Sequence, residues 1–412
     1  MRAAAAGNRD AYTWLKRLPR RSDSQTGPSV EGPKSGAAPS PASGASHACC
    51  KASRAALIFD TCRSMQQHER GGKVTIIDIA REAGVSIKTV SRVINREEGV
   101  GEETRARVQA LVNLLGYRPN VSARSLSSRR SYLIGAIFMR VGAYHYVGEV
   151  QVGAMRACRR AGYHLVVEQV RPSEVAGGVQ GFAEGLRDAR FDGVVLTPPT
   201  CDDPEVLAAV EALGLPYVRI APHREFERSP YVFMDDQKAA REQTLRLWNM
   251  GHRRIAFIDG PADHGSAARR RLGYVEAMRD RGVEPRPEWI AKGEFLSLSG
   301  FNATEALLRL PERPTAIFAA NDEMAVGALA AAAKNGLSVP RDLSVVGFDD
   351  TPAAEAAWPR LTTIRQPTAE MAEAAVEMLI DGFGDERFRG TVAARQLDYR
   401  LIQRDSAGPP PA

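Results

Sequence analysis

Apolar residues change their spacing along this chain, and the changes divide it. Between residues 74 and 95, Ile79, Ala83, Val85, Val90 and Val93 fall on the inward faces of two short helical segments separated by Gly84. Ala80 supplies the small residue that two steeply crossed helices need where they touch. Gly84 supplies the φ > 0 backbone of a tight turn, and Ser86 is placed to cap the second helix. A third helix is expected over 101–117, with Val108, Leu111 and Leu115 on one face and Gly116 as its stop. Tyr117-Arg118-Pro119-Asn120 then breaks the chain. The following stretch, to Ser127, is helix-capable but too polar to stay folded alone.

From Ser131 the pattern becomes one of short apolar runs. Tyr132–Phe138, His164–Val170, Phe191–Thr197, Leu215–Ile220, Arg254–Gly260, Ala316–Ala320 and Leu343–Phe348 read as strands, alternating with helical stretches such as Val147–Ala161. Buried strands alternating with helices imply a parallel sheet covered on both faces. The stretch is too long for one such sheet, so two doubly wound lobes are expected, with a hinged cleft between them. The fold class is α/β: a small all-α helix-turn-helix head and a two-lobed sensor. The expected division is a disordered extension over 1–72, a head over 73–119, a hinge helix and linker over 120–130, a sensor over 131–404 and a disordered tail over 405–412. Within the sensor, lobe 1 is about 131–230 and 365–390, and lobe 2 about 231–364 and 391–404. Residues 1–64 are rich in Gly, Pro, Ser and Ala, and Met65 offers a natural start; the rival reading is a genuine basic tail.

The outward residues of the second helix have the chemistry of a DNA reader. Arg92 suits guanine O6 and N7, Lys88 guanine or phosphate, and Ile87 a thymine methyl, while Thr75, Thr89 and Ser91 suit phosphates. Composition changes this picture little. A hydrophobic share of 44% and a charged share of 25% are those of an ordinary globular chain, and the net charge is only +6. That charge is uneven, because residues 73–130 hold eleven Lys/Arg against six Asp/Glu. A basic excess there suits phosphate binding, although a charge run is also simply a solvated face. Cys49, Cys50, Cys62, Cys158 and Cys201 show no zinc spacing and fit a reducing cytoplasm. No apolar run reaches the ~18 residues of a membrane span, and no signal peptide is evident. No phosphate-cradling loop, nucleophile elbow or metal cluster appears, so neither catalysis, a metal nor a cofactor is expected.

The arrangement resembles the lactose-repressor (LacI/GalR) family of bacterial regulators. The matching pieces are Val-Thr-x-x-Asp-Ile-Ala from Val74, Ala-Gly-Val-Ser from Ala83, Thr-Val-Ser-Arg-Val-Ile-Asn from Thr89, Gly-Tyr-x-Pro-Asn from Gly116 and Ala-Arg-Ser-Leu from Ala123. Further landmarks are Gly251–Ala256, Ala320–Ala325, Ser344–Asp350 and Thr362–Pro367, so the likeness covers about 73–406. The resemblance implies a periplasmic-binding-protein-like sensor. It also implies a ligand-controlled repressor acting as a cytoplasmic, nucleoid-associated homodimer on a near-palindromic DNA operator. The DNA-contacting set is then Thr75, Ser86, Ile87, Lys88, Thr89, Ser91, Arg92, Asn95, Asn120, Ala123, Arg124 and Leu126, with Leu126 as a minor-groove wedge. No heptad-rich tail follows Arg404, which favours a dimer over a zipper-built tetramer.

In an open α/β sheet, ligands sit beyond the carboxyl ends of the strands. With the resemblance, that rule selects Tyr146, His264, Arg270, Phe295, Asn321 and Asp349 as effector residues, Phe295 being read in the strand-like stretch Lys292–Phe295. An arginine fork, a carboxylate acceptor and an aromatic face suit a sugar. Three alternatives stay open: a solvated helix start for Arg269–Arg271, a turn cap for Asp349 and lobe core for Phe295. Asp322 and Asp350 read as structural. Where many relatives have a polar residue after the strand ending at Ile220, this chain has Ala221-Pro222, so lobe 1 grips less or uses Tyr144, His145 and Tyr146. A purine-responsive regulator is the alternative of the same family. A sugar-binding transport protein is the alternative of another class, but it has no use for residues 74–130 and needs an export signal.

Overall fold

The computed structural model describes residues 74–94, 97–117, 130–139, 144–170, 180–383 and 392–411. The chain forms two compact units, dividing between residues 118 and 119. The expected extension over 1–72 and nearly all of the expected hinge, including Asn120, Ala123, Arg124 and Leu126, lie outside the described residues, as does Asn95.

The first unit holds helices α1 (Ile76–Ala83), α2 (Ile87–Ile94) and α3 (Glu102–Leu114). Thr75 and Asp78 form a reciprocal capping box at the start of α1, satisfying two otherwise orphaned backbone donors. Gly84 ends α1 with φ 62 and ψ 35, the left-handed turn read from the sequence. Ser86 Oγ accepts from Thr89 N at 3.1 Å and caps α2. Ile79, Val90 and Val108 are fully buried where the three helices meet, and Leu111 and Leu115 pack around them. Each such burial contributes roughly 1.5–3 kcal/mol, which a three-helix unit of this size needs.

The second unit begins with β1 (Leu133–Met139), α4 (Tyr144–Ala161), β2 (His164–Val170), α5 (Gln180–Ala189), β3 (Gly193–Leu196), α6 (Pro204–Ala212), β4 (Tyr217–Ile220) and β5 (Tyr231–Phe233). It continues through α7 (Asp236–Asn249), β6 (Ile255–Ile258), α8 (Gly265–Arg279), β7 (Ile290–Ala291), α9 (Ser297–Leu308), β8 (Ala316–Ala319), α10 (Asp322–Lys334) and β9 (Ser344–Val346). Then come α11 (Pro352–Ala356), β10 (Thr363–Arg365), α12 (Thr368–Asp381), β11 (Ala394–Gln396) and β12 (Arg400–Ile402).

Two parallel sheets result, one per lobe: β11-β5-β4-β3-β1-β2 and β7-β6-β8-β9. Both faces of the first sheet are covered. Ile134 and Ala136 join the cluster that contains Val150 of α4 and Ala372 of α12, while Ile137 joins Phe182 of α5 and Val206 of α6. In the second lobe Phe257 stacks on Tyr274 at 5.2 Å and meets Phe318 edge-on at 5.3 Å. The antiparallel pair β10–β12 forms part of the passage between the lobes.

Three details differ from the sequence reading. The second lobe was expected to begin at 231 and to include 391–404, but β5 pairs with β4 and β11 with β5, so both belong to the first lobe's sheet. Three-residue strands carry too little periodicity to be seen. The tail expected to be disordered from 405 is packed as far as Pro410, which lies against Gly251. Ser406 is fully buried, with its Oγ bonded to Thr362 N at 2.8 Å, and His252 Nε2 lies 2.8 Å from the Gly408 carbonyl oxygen. Finally, Phe295 does not extend a strand from Lys292: β7 ends at Ala291 and Phe295 has φ 58.

Candidate nucleic-acid interface and ligand cleft

The start of α2 faces solvent. Ser86, Ile87 and Lys88 are exposed, and Ile87 is 48% accessible, a large apolar side chain with nothing to cover it. Thr89, Ser91 and Arg92 are half-buried on the same helix, and Thr75 is exposed at the start of α1. Among the described residues neither Lys88 nor Arg92 has an ion-pair partner. Val90 and Val93 anchor the opposite face, so the helix presents a rigid polar edge with one apolar contact. That is the chemistry of major-groove readout.

In the second unit a cleft encloses about 800 Å³ of empty space, part of it open to solvent. All six residues selected from the sequence, Tyr146, His264, Arg270, Phe295, Asn321 and Asp349, line it. Arg270 projects from α8, which lies close to α7 because Gly273 faces the Gln237 carbonyl. A Cβ at Gly273 would sit 2.1 Å from that oxygen. The Arg270 guanidinium is 4% exposed. Nε donates to Asp236 Oδ1 at 2.9 Å, Nη1 donates to the Ala320 carbonyl at 2.6 Å, and Asp349 Oδ1 lies 3.6 Å from Nη1. The guanidinium plane lies 3.6 Å over the Phe348 ring, a desolvated cation–π contact.

Asp349 follows β9 with φ 123, a conformation L-residues rarely adopt, and accepts from Gln366 Nε2 at 2.6 Å. Its backbone N–H donates to the Ile364 carbonyl at 2.8 Å, which ties the strained residue to the interlobe passage. Burial raises the Asp349 carboxyl above the usual range; Arg270 and Gln366 oppose that shift, and Asp236 and Glu323 add to it. Asp236 is raised mainly by burial too, against the pull of Arg270. The Tyr146 hydroxyl is buried with no hydrogen-bond partner among the described residues, and burial raises it as well. His264 meets Phe295 edge-on at 5.3 Å. Asn321 is also structural: its Oδ1 caps α10 at Met324 N (2.9 Å), and its Nδ2 donates to the Phe295 carbonyl at 3.1 Å.

Comparison with known proteins covers both units. Residues 75–120 match the model described as bacterial regulatory proteins, lacI family, and residues 244–407 match the periplasmic binding protein-like domain. Catabolite control protein A of Priestia megaterium is 32% identical over 340 residues, covering 81% of this chain and 99% of that protein. The chain belongs to the lacI family of bacterial regulatory proteins. Among solved structures, the lac repressor dimer bound to operator and the anti-inducer ONPF aligns with TM-score 0.66 and 29% identity, over 82% of this chain and all of that one. The CelR–cellobiose complex, a transcriptional regulator, aligns with TM-score 0.60 and 31% identity, over 81% of this chain and all of that one.

This lacI-family member is therefore a ligand-responsive, DNA-binding transcriptional regulator. Its cleft also contains residues that the sequence did not yield as ligand contacts. Asp236 follows β5, and the rule that selects Asp349 would select it once β5 is counted as a strand of the sheet. Gln366 follows β10 in the same way. Pro198 and Phe138 add apolar wall from lobe 1. Ala221 lines the cleft with φ 49, and Tyr146 is lobe 1's polar contribution. Asp322 is buried and accepts from Thr363 Oγ1 at 2.6 Å and Thr351 N at 2.7 Å. Asp350 pairs with Arg365 and with Arg404 Nη2 at 2.7 Å. Among the described residues no cluster suited to a metal occurs, and no helix is long and apolar enough to cross a membrane.

Proposed function

We propose that this regulator is a homodimeric, cytoplasmic, nucleoid-associated repressor without catalytic activity, whose operator affinity is set by a sugar in the interlobe cleft. Residues 73–119 form the DNA-binding domain, 120–130 the hinge, and the remainder to the packed tail the sensor. Thr75, Thr89 and Ser91 hold phosphates, and Ser86, Asn95 and Asn120 also contact the DNA. Ile87, Lys88 and Arg92 read bases, and the Ala123–Leu126 hinge enters the minor groove with Arg124 beside it. Tyr146, His264, Arg270, Phe295, Asn321 and Asp349 grip the effector.

The observation that carries this reading is the joint occurrence of a base-reading edge on α2 and a cleft combining aromatic walls with buried carboxylates around one arginine. The solved relative that holds cellobiose and the one that holds an operator are consistent with it. The test of the DNA half is selection from a random duplex library. The full chain should enrich an inverted repeat, and Arg92→Ala should relax one position per half-site by roughly 1–3 kcal/mol. Enrichment of no sequence would contradict the reading.

A further inference from the structure

The ionisable groups facing the cleft do not balance. Asp236, Asp349 and Glu294 line it against Arg270, and the other basic ring, His264, lies 3.1 Å from Asp263 through Nδ1. Behind this wall Asp322 is fully buried and Glu323 contributes further negative field at Asp349.

Arg270 is, moreover, already committed. A guanidinium that binds an anionic ligand offers it two parallel N–H groups. Here Nε is held by Asp236 at 2.9 Å, Nη1 by the Ala320 carbonyl at 2.6 Å, and the flat face by Phe348. A carboxylate or phosphate that takes the Nε edge has to displace Asp236, whose side chain is 4% exposed, and leave that carboxylate buried without its partner, while one that takes the remaining Nη2 hydrogens still meets the charges of Asp236, Asp349 and Glu294 in the same cleft. A neutral hydroxyl meets no such obstacle. It donates to Asp349, which among the described residues accepts from Gln366 and lies 3.6 Å from Arg270, or exchanges a bond with the Tyr146 hydroxyl, which has no partner among them. Phe295, Leu296 and Phe138 offer the apolar walls that the C–H face of a sugar ring requires.

Building on the sugar reading above, we propose that the cleft selects an uncharged, polyhydroxylated effector over its acidic or phosphorylated counterparts. Asp236 sets this selection by occupying Arg270. It is a specificity residue that acts through Arg270, distinct from the groups that grip the sugar.

The test is calorimetric titration of the full chain with neutral mono- and disaccharides, uronates and sugar 6-phosphates. A neutral sugar is expected to bind at least about ten-fold more tightly than its own uronate or 6-phosphate. Asp236→Asn keeps an oxygen for Arg270 Nε while removing the charge. It should narrow that ratio, mainly by gaining affinity for the anionic sugars. Tighter binding of a uronate or phosphate than of the matching neutral sugar by the unaltered chain would overturn the proposal, whatever the variant's folding. An unchanged ratio in an Asp236→Asn protein that melts like the parent would overturn it too. If no sugar of either kind binds, the sugar reading itself fails and this inference falls with it, an outcome distinct from a preference for acids.

Discussion

Asp322 shows how a single carboxylate in this sensor links position to stability. It opens α10, is fully buried, and fills both oxygens with Thr363 Oγ1 and Thr351 N. Burial nevertheless pushes its carboxyl well above the ordinary aspartate range, and the nearby Asp349 and Asp350 charges add to the shift. The folded state therefore holds protons more tightly than the unfolded chain, in which aspartate titrates near ~4. Stability linked to this group is then lost as pH rises from the unfolded value through the raised folded one. The melting temperature of the sensor should fall between about pH 6 and about pH 8. Asp322→Asn keeps an acceptor for Thr351 N and can donate to Thr363 Oγ1, so it should flatten that fall. Asp236 and Asp349 are raised as well, so part of the slope should persist. A thermal scan in which the variant keeps the full parental slope would show that Asp322 stays ionised in the folded protein.

At the scale of elements, the contact that couples the lobes most directly involves the first turn of α8. His223 follows β4 in lobe 1, and its Nδ1 lies 2.6 Å from Asp202 Oδ2. Asp202 also accepts from His223 N at 3.1 Å and lies 3.8 Å from the fully buried Arg219. The imidazole is thereby fixed, and it rests against Gly265, where a Cβ would sit 2.0 Å from His223 Nδ1. In Gly265→Ala the methyl has to push α8 away from lobe 1, and α8 carries Arg270 and Ser266 into the cleft. The variant should lose at least about ten-fold in effector affinity, measured well below its melting temperature, and the overpacking should cost roughly 1–3 kcal/mol of stability. Calorimetry showing parental affinity would mean that α8 does not need its present distance from lobe 1.

How much of this was legible depended on element length. The head could be read residue by residue, since Thr75, Ala80, Gly84 and Ser86 each have a local reason for their place. The six cleft residues were named from the ends of the apolar strands together with the family resemblance, which alone points to Arg270 on its helix. Asp236 escaped because β5 is three residues long and its pairing with β4 and β11 is a tertiary fact. The packed tail escaped for a similar reason. Ser406 and Gly408 are held by Thr362 and His252, partners that no local pattern announces. Phe295 was found as a residue but misplaced as an element, since its left-handed backbone depends on the surrounding loop.

For the whole molecule, the head and the sensor are separate compact units joined through residues whose sequence suits a hinge that folds on DNA. Their joint purpose is a coupling free energy between two binding events, and such coupling is reciprocal. The central claim is that occupancy of the cleft changes operator affinity. The most direct test measures binding of the full chain to its selected inverted-repeat operator by fluorescence anisotropy, with and without a saturating neutral sugar that calorimetry shows to bind. The account predicts a change of roughly 5–150-fold in operator affinity, matched by an equal change in sugar affinity when operator is present. Identical operator affinity with the cleft empty and filled would contradict it.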